Sequence, residues 1–130
     1  MASKKNKKAF NISIVDAIEE EGDYGAKIRK VKYRNDKDAI CLTLEPYSLN
    51  DTGKIYEDIY LWLRRKAGKN SKESRFIEIT GNPESIEETI GLDIGVEVKF
   101  YDTGEKILTN VEDVFALVYE DEEGYEEEEE

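Results

Sequence analysis

The sequence predicts a mainly β domain, a small closed or partly open β-barrel of five to six strands with one short helix between strands 3 and 4. Short segments that alternate apolar and polar residues indicate the strands, and clusters of Gly, Asn and Asp separate them. So many short strands cannot all be central in an open sheet of this size, and closing the sheet removes its edges. We place this domain at residues 9–118, between a disordered basic arm at 1–8 and a disordered acidic tail at 119–130.

The first two strands are predicted on either side of a tight turn. After the turn residues Gly22–Gly25, the segment Ala26–Arg34 breaks the two-residue period of a strand, and a bulge near Arg29 restores it. Asn35–Asp38 has the composition of a turn, and Ala39–Tyr47 then alternates as the second strand.

The third strand, from Ile55 to about Arg65, has the clearest alternation in the chain. Its two faces are Ile59, Leu61 and Leu63 on one side and Tyr60, Trp62 and Arg64 on the other. Residues 65–74 have no periodicity and hold four Lys and Arg, which predicts an exposed loop. Arg75–Thr80 is then predicted as a short apolar strand.

Helix signals occur at two places. Asn82 is a natural N-cap with Pro83 at the first helical position, and Gly91 ends the helix that they predict. Near the start of the chain, Phe10–Ile14 alternates like a strand but also fits the beginning of a short helix through Asp16–Glu21.

The last predicted strands form a hairpin. Val96, Val98 and Phe100 alternate toward the core, and Asp102–Glu105 has the composition of a hairpin turn. Lys106–Val118 supplies the final strand or pair of strands.

Charge is distributed very unevenly along the chain. Residues 119–130 hold nine acids and no base, so most of the net charge of −12 belongs to the tail. Within the body, Tyr24–Arg75 holds 13 Lys and Arg against seven Asp and Glu, a net charge of +6. A basic region and a polyanionic tail in one chain are typical of a protein that binds a polyphosphate through its body and weakens that binding with its own tail.

The residue inventory excludes several kinds of chemistry. One Cys and no His rule out an intrachain disulfide, Cys/His zinc sites and the Ser-His-Asp and Cys-His catalytic arrangements. Cys41 fits ordinary packing on a strand. No apolar run is long enough to span a membrane, and no signal-peptide pattern opens the chain, so we predict a cytoplasmic protein.

The order of three strands, one helix and two strands, with a bulged first strand, resembles the OB-fold, a Greek-key barrel whose second and third strands bind oligonucleotides. The resemblance covers about Tyr24–Val118 and rests on element order; a different small barrel or an α+β sheet with one helix also fits. With its acidic C-terminal tail, the layout is similar to the single-stranded DNA-binding proteins of bacteria and their phages. In that group the tail docks replication partners and competes with DNA. Those tails commonly end on a hydrophobic residue, whereas this chain ends in EGYEEEEE.

An aromatic strand face and a basic first strand are the candidate binding site. Tyr56, Asp58, Tyr60, Trp62 and Arg64 share a face, and an aromatic ring that stacks on a base contributes about 1–3 kcal/mol. In the competing interpretation, the aromatic residues cover a second small core. The full set of predicted nucleic-acid-binding residues is Lys27, Arg29, Lys30, Lys32, Arg34, Tyr56, Tyr60, Trp62, Arg64, Arg65, Lys66, Lys69, Lys72 and Arg75.

The tail is predicted to regulate binding. Its carboxylates compete with phosphate for the basic groove, or they act only as a solubilising end. The regulatory residues are Glu120, Asp121, Glu122, Glu123, Tyr125, Glu126, Glu127, Glu128, Glu129 and Glu130.

The sequence thus predicts a non-enzymatic, phage-type protein that binds single-stranded DNA in replication or recombination, without cofactor or metal. Replication or recombination proteins that dock on the tail, and a homodimer, are compatible with this function. Three alternatives stay open: an acidic phage inhibitor or DNA mimic that binds a host protein, a protein–protein adaptor, and a metal-dependent nuclease. The nuclease rests only on Glu97-Val98-Lys99, which fits the E-x-K part of the PD-(D/E)xK pattern but lacks its second acid.

Overall fold

A computed structural model of the chain describes residues 12, 14–51 and 53–118, and these residues form five strands, one α-helix and two short 3-10 helices. The strands are β1 (Gly22–Arg34), β2 (Ala39–Tyr47), β3 (Ile59–Arg64), β4 (Asp93–Asp102) and β5 (Ile107–Phe115). Helix α1 spans Lys72–Ile79, and the 3-10 helices span Asn35–Lys37 and Ile86–Thr89. The predicted basic arm and acidic tail lie outside the described residues.

All five strands belong to one antiparallel sheet in the order β3-β2-β1-β4-β5. The long strand β1 is central, because residues 22–27 pair with β4 and residues 25–34 pair with β2. The hydrogen-bonded sheet is not closed. Its two edge strands, β3 and β5, nevertheless approach each other, and α1 packs against both of them. The mainly β prediction, with one α-helix between the third and fourth strands, is confirmed.

The core lies on the side of the sheet where the apolar residues of each strand converge. In β3, Ile59, Leu61 and Leu63 are buried while the residues between them are exposed, which confirms the predicted alternation. The same alternation buries Val96 and Val98 in β4. The largest fully buried side chains are Phe76, Ile28, Leu42, Leu44, Leu61 and Ile94.

The irregular features of the sheet agree with the turn and bulge signals. The pairing of β1 with β2 shifts by one residue between Ile28 and Lys30, so Arg29 is the predicted bulge. Asn35–Lys37 forms a 3-10 turn that ends on Asp38 in the left-handed conformation, with φ of 52°. The β4–β5 hairpin also turns where its composition predicts, because the Thr103 N–H donates to the Lys106 carbonyl.

The position of the helix is different from the one predicted. The segment expected to be a loop and then a short strand contains α1, whose N-cap is Ser71; its hydroxyl accepts a hydrogen bond from the Ser74 N–H at 3.1 Å. Helical spacing turns Glu73 and Phe76 together toward the protein interior, which the two-residue period of a strand could not do.

The residues predicted to begin a helix instead end one. Asn82 adopts the left-handed conformation, with φ of 54°, and its N–H donates to the Ile77 carbonyl at 2.9 Å. This is the geometry of a helix C-terminus. Downstream, only the short 3-10 helix at Ile86–Thr89 forms.

Two predictions near the start of the domain also need correction. Gly22–Gly25, predicted as a turn, is the first part of β1. Asp16–Glu21 is not helical; Asp16 forms an isolated bridge with Tyr56, and Ile18 is buried in the core. The segment Phe10–Ile14 lies largely outside the described residues. No helix in the described ranges is long and apolar enough to cross a membrane.

Candidate nucleic-acid interface

Strand register places cationic and aromatic side chains on one outward surface of β1, β2 and β3. Directly opposite residues of an antiparallel sheet project to the same side. Lys32 lies opposite Cys41, which lies opposite Trp62, and the next row joins Lys30, Thr43 and Tyr60 in the same way. We call these six residues, together with Arg34, the basic face. On this face, the small side chains of β2 lie between the lysines of β1 and the aromatic rings of β3.

The basic face is open to solvent and unbalanced in charge. Tyr60 is 52% exposed and Trp62 is 37% exposed, whereas their neighbours in β3 are buried. Neither Lys30 nor Lys32 has a hydrogen-bond or ion-pair partner within the part of the chain that the structure describes. Their charge is therefore available to an anionic ligand.

Trp62 is flanked by two cations, Arg34 at the end of β1 and Lys37 in the β1–β2 turn. The Arg34 guanidinium carbon lies 5.7 Å from the ring centroid, and the Lys37 Nζ lies 5.3 Å from it. Arg34 also pairs with Asp36, its Nη2 lying 3.2 Å from Oδ2. Lys37 is absent from the predicted set, because residue spacing alone does not show that the turn folds over Trp62.

Cys41 lies at the centre of the basic face, between Lys32 and Trp62. Its side chain is half-buried, and burial raises the pKa of the thiol, although nearby Arg34 and Lys32 act in the opposite direction. The thiol is accordingly a packed surface group, as predicted, and it marks the middle of the face.

Two predicted cations at the start of the set are engaged by carboxylates. Lys27 Nζ lies 3.3 Å from Asp93 Oδ2, and Arg29 Nη1 lies 3.7 Å from Glu45 Oε1. The first pair joins β1 to β4 and the second joins β1 to β2, and both lie beyond the basic face. Lys27 and Arg29 therefore contribute less free positive charge than Lys30 and Lys32, which have no ion-pair partner among the described residues.

Arg64 ends the outward row of β3, but Glu73 binds it. Its Nε and Nη2 donate to the two carboxylate oxygens at 3.1 and 3.0 Å, and its backbone N–H donates to Oε2 at 2.8 Å. The hydrogen bonds from Arg64 hold the pKa of Glu73 down at about 2, against the opposing effect of burial. The nearly buried carboxylate thus fastens the edge strand β3 to α1.

The predicted cations of residues 65–75 divide into two groups. Arg65, Lys66 and Lys69 are exposed on the connection between β3 and α1, beside the β1–β2 turn, since the Arg65 N–H donates to the Asp38 carbonyl at 3.3 Å. Lys72 and Arg75 point instead to β5: Lys72 Nζ lies 3.5 Å from the Val111 carbonyl, and Arg75 Nε lies 2.8 Å from Asp113 Oδ1.

Tyr56 lies away from Tyr60 and Trp62. It precedes β3 and packs edge-on against Tyr24, with ring centroids 5.5 Å apart. The cavity beside it is lined mainly by acidic and aromatic residues, namely Asp16, Ala17, Glu19, Glu20, Tyr24 and Lys54. The structure therefore does not bring Tyr56 to the basic face.

The other end of the same outward surface is acidic. Asp23 of β1 lies opposite Glu97 of β4, which lies opposite Asp113 of β5. We call these three residues the acidic row. Within it, Glu97 lies 3.9 Å from Lys99 Nζ and Asp113 is bound by Arg75.

An aromatic ridge separates the acidic row from the basic face. Gly25 and Gly95 lie opposite each other, and the rings of Tyr47 and Phe115 lie over them in the space where a Cβ would project. The two glycines therefore permit two rings to lie flat across the middle of the sheet.

Comparisons with known proteins add no family to this geometry: the sequence matches no protein-family model and no curated protein. Among the described residues, no group of three or more Cys, Asp or Glu side chains is arranged to hold a metal ion.

Proposed function

We propose that the protein is a non-enzymatic, phage-type single-stranded DNA-binding protein that acts in DNA replication or recombination, and that its basic face is the binding surface. One observation carries the proposal: the strand register sets lysines of β1, unpaired among the described residues, in the same rows as exposed aromatic rings of β3, across β2 on one surface. Rings accept stacked bases and lysines neutralise the adjacent phosphates. Bases are free to stack in this way only when the strand is single.

The strand connectivity supports an OB-like barrel as the scaffold. β1 pairs with both β2 and β4, β3 and β5 approach each other, and α1 lies between them in chain order and in space. In an OB-fold the outer surface of the second and third strands binds the oligonucleotide. The basic face occupies the corresponding strands here.

Binding measured against salt tests this function. Four cations lie on or beside the face, namely Lys30, Lys32, Arg34 and Lys37. If each contacts one phosphate, the slope of log K against log salt is about −3 for a single strand. We expect oligo(dT) to bind more tightly than a duplex of equal length. Equal affinity for the two forms, or no binding at low salt, would contradict the proposal.

The position of the ligand can be tested with Cys41, the only thiol in the chain. Because it lies between Lys32 and Trp62, bound oligo(dT) should slow its alkylation and quench Trp62 fluorescence. Unchanged alkylation under saturating oligo(dT) would place the ligand elsewhere.

The acidic tail would make the protein self-inhibiting. Residues 119–130 carry nine acids, and twelve extended residues reach at most about 40 Å, comparable with the size of the domain. The carboxylates can therefore compete with phosphate for the basic face. Deletion of residues 119–130 should tighten oligo(dT) binding at low salt, with a gain that shrinks as salt rises. If the deletion leaves affinity unchanged at low salt, the tail does not compete.

A second function, as an acidic mimic of DNA that binds a host protein, is favoured by the acidic row. Three carboxylates opposite one another across β1, β4 and β5 resemble a short array of phosphates. Ion pairs to Arg75 and Lys99 reduce its charge, which makes it the weaker candidate. A mimic would bind neither oligonucleotide form and would instead bind a basic protein.

A further inference from the structure

Beyond the basic face, a groove of about 660 Å³ opens where β3 meets α1. One wall is the segment after β3, including Ala67 and Gly68, and the other wall is the exposed side of α1. The segment after β3 contributes Arg65 and Lys69, whereas α1 and the residues that follow it contribute Glu78 and Asn82. The wall formed by the segment after β3 is therefore cationic, and the helix wall is more acidic.

The basic face leads directly to the cationic wall of the groove. Tyr60, Trp62 and Arg64 project from the same side of β3 at intervals of about 6.7 Å, and the last of them lines the groove. A strand that follows the two aromatic rings in this direction reaches the groove next.

Arg65 joins the two surfaces physically. Its N–H donates to the Asp38 carbonyl and its Nη1 lies 3.5 Å from Asn35 Oδ1, so it is tied to the turn that covers Trp62. Its guanidinium lies 5.8 Å from the centroid of the Tyr33 ring, which projects from the side of β1 opposite to Lys32. These contacts hold a cation beside the β1–β2 turn, at the groove and at the edge of the basic face.

The charges in the groove favour an anion along the wall formed by the segment after β3. Glu73 is already neutralised by Arg64, whereas Lys69 has no hydrogen-bond or ion-pair partner among the described residues. Glu78, which lies on the helix wall, repels phosphate from that wall. An anionic chain would therefore enter beside Arg65 and Lys69.

We propose that this groove binds the sugar-phosphate backbone of the nucleotides that leave the basic face, so that the nucleic-acid site has two parts. Bases stack on Tyr60 and Trp62 in the first part, and Arg65 and Lys69 hold phosphates in the second. This inference rests on the proposed single-strand binding and extends it. A short oligonucleotide fills the basic face alone, whereas a longer one fills both parts.

The length of the oligonucleotide tests the two-part site in the full-length protein. Single sites of this kind cover about 4 to 16 nucleotides, so oligo(dT) of about 4 and about 16 nucleotides are the probes. Arg65→Gln with Lys69→Ala should weaken binding of the longer probe about 25-fold at 0.1 M salt, about fivefold for each lost phosphate contact. Binding of the short probe should change less than about twofold.

Two variants control for charge and for folding. Lys54→Ala with Lys99→Ala removes the same charge beside Tyr56 and Glu97, and it should spare both probes. Lys69→Ala alone breaks no hydrogen bond or ion pair within the described residues and should still weaken binding of the longer probe about fivefold. Equal losses for both probes, or no loss for either, overturn the two-part site while single-strand binding stands. If the unaltered protein binds neither probe, the proposed function itself fails.

Discussion

The two ends of β1 lie on the same outward surface of one sheet, yet they carry opposite charge. The two ends also differ in how far ion pairs neutralise that charge. Near the end of the strand, Lys30 and Lys32 are unpaired within the described structure, beside exposed rings. Near its beginning, Asp23 belongs to an acidic row in which Glu97 and Asp113 both have cationic partners. The unpaired charge distinguishes the two regions, because ion pairs have already weakened the field of the acidic row.

The two edges of the sheet differ in how deeply the ion pair that holds each of them to α1 is buried. On the basic side, the buried Glu73 carboxylate binds β3 to α1. On the acidic side, Arg75 binds Asp113 while both side chains stay more than one-third exposed. A buried charge-assisted contact stabilises more than an exposed ion pair, so the basic side depends more strongly on one residue.

Glu73→Gln should have the largest effect on stability, a loss of about 2–3 kcal/mol, because hydrogen bonds to a charged, nearly buried group are replaced by weaker ones. Asp113→Asn on the other edge should cost less than about 1 kcal/mol. Urea unfolding of both variants measures the difference. Equal losses would show that the two edges are held alike.

Acid should act on the same contact. The pKa of Glu73 is lowered from 4.5 to about 2 by its hydrogen bonds from Arg64, so the folded protein binds this proton more weakly than the unfolded chain. The stabilisation is complete above pH of about 4.5 and disappears as the pH falls toward 2. Between pH values of about 2 and 4.5, the free energy of unfolding should depend less on pH in Glu73→Gln than in the unaltered protein.

Trp62→Ala should lower oligo(dT) affinity by about 1–3 kcal/mol while the domain stays folded, because the ring stacks on a base. Tyr101→Ala is the matched control, since Tyr101 is also exposed but lies on β4 toward the acidic side. Fluorescence anisotropy of labelled oligo(dT) reports both affinities. If Trp62→Ala instead costs about 3–5 kcal/mol of stability and leaves affinity intact, Trp62 is a core residue.

Gly95→Ala tests the ridge between the two regions. A Cβ at this position collides with the Phe115 ring, so the variant should lose about 1–3 kcal/mol of stability. Gly68→Ala adds the same atom where no heavy atom beyond its two chain neighbours lies within 4 Å, and it should be nearly neutral. Thermal unfolding compares the two, and similar melting temperatures would show that the Phe115 ring moves aside at little cost.

Lys32→Ala should have the smallest effect, a loss of about fivefold in oligo(dT) affinity at 0.1 M salt with a salt slope less steep by about 0.7. Lys99→Ala removes an equal charge that lies beside the acidic row, and it should leave the slope unchanged. A titration at several salt concentrations provides both slopes. The same change in both variants would mean that only net charge matters.

Local patterns were sufficient to predict much of this fold. The alternation of β3, the bulge at Arg29 and the turn at Asn35–Asp38 all depend on neighbouring residues, and the structure confirms each. The segment Arg75–Thr80 was wrongly predicted as a strand. It is too short to distinguish the two-residue period of a strand from the 3.6-residue period of a helix. Burial of Phe76 against the sheet, together with the Ser71 cap, makes it helical.

For the candidate site, residue types and their alternation were enough to show which cations and rings are available and which of them share a face of one strand. How they combine depends on long-range packing. Register across β2 joined Lys32 to Trp62, folding of the turn brought Lys37 to the same ring, and Glu73 engaged Arg64. Such partners are distant in sequence or depend on how a turn folds, and they meet only when strand pairing and core packing set their positions.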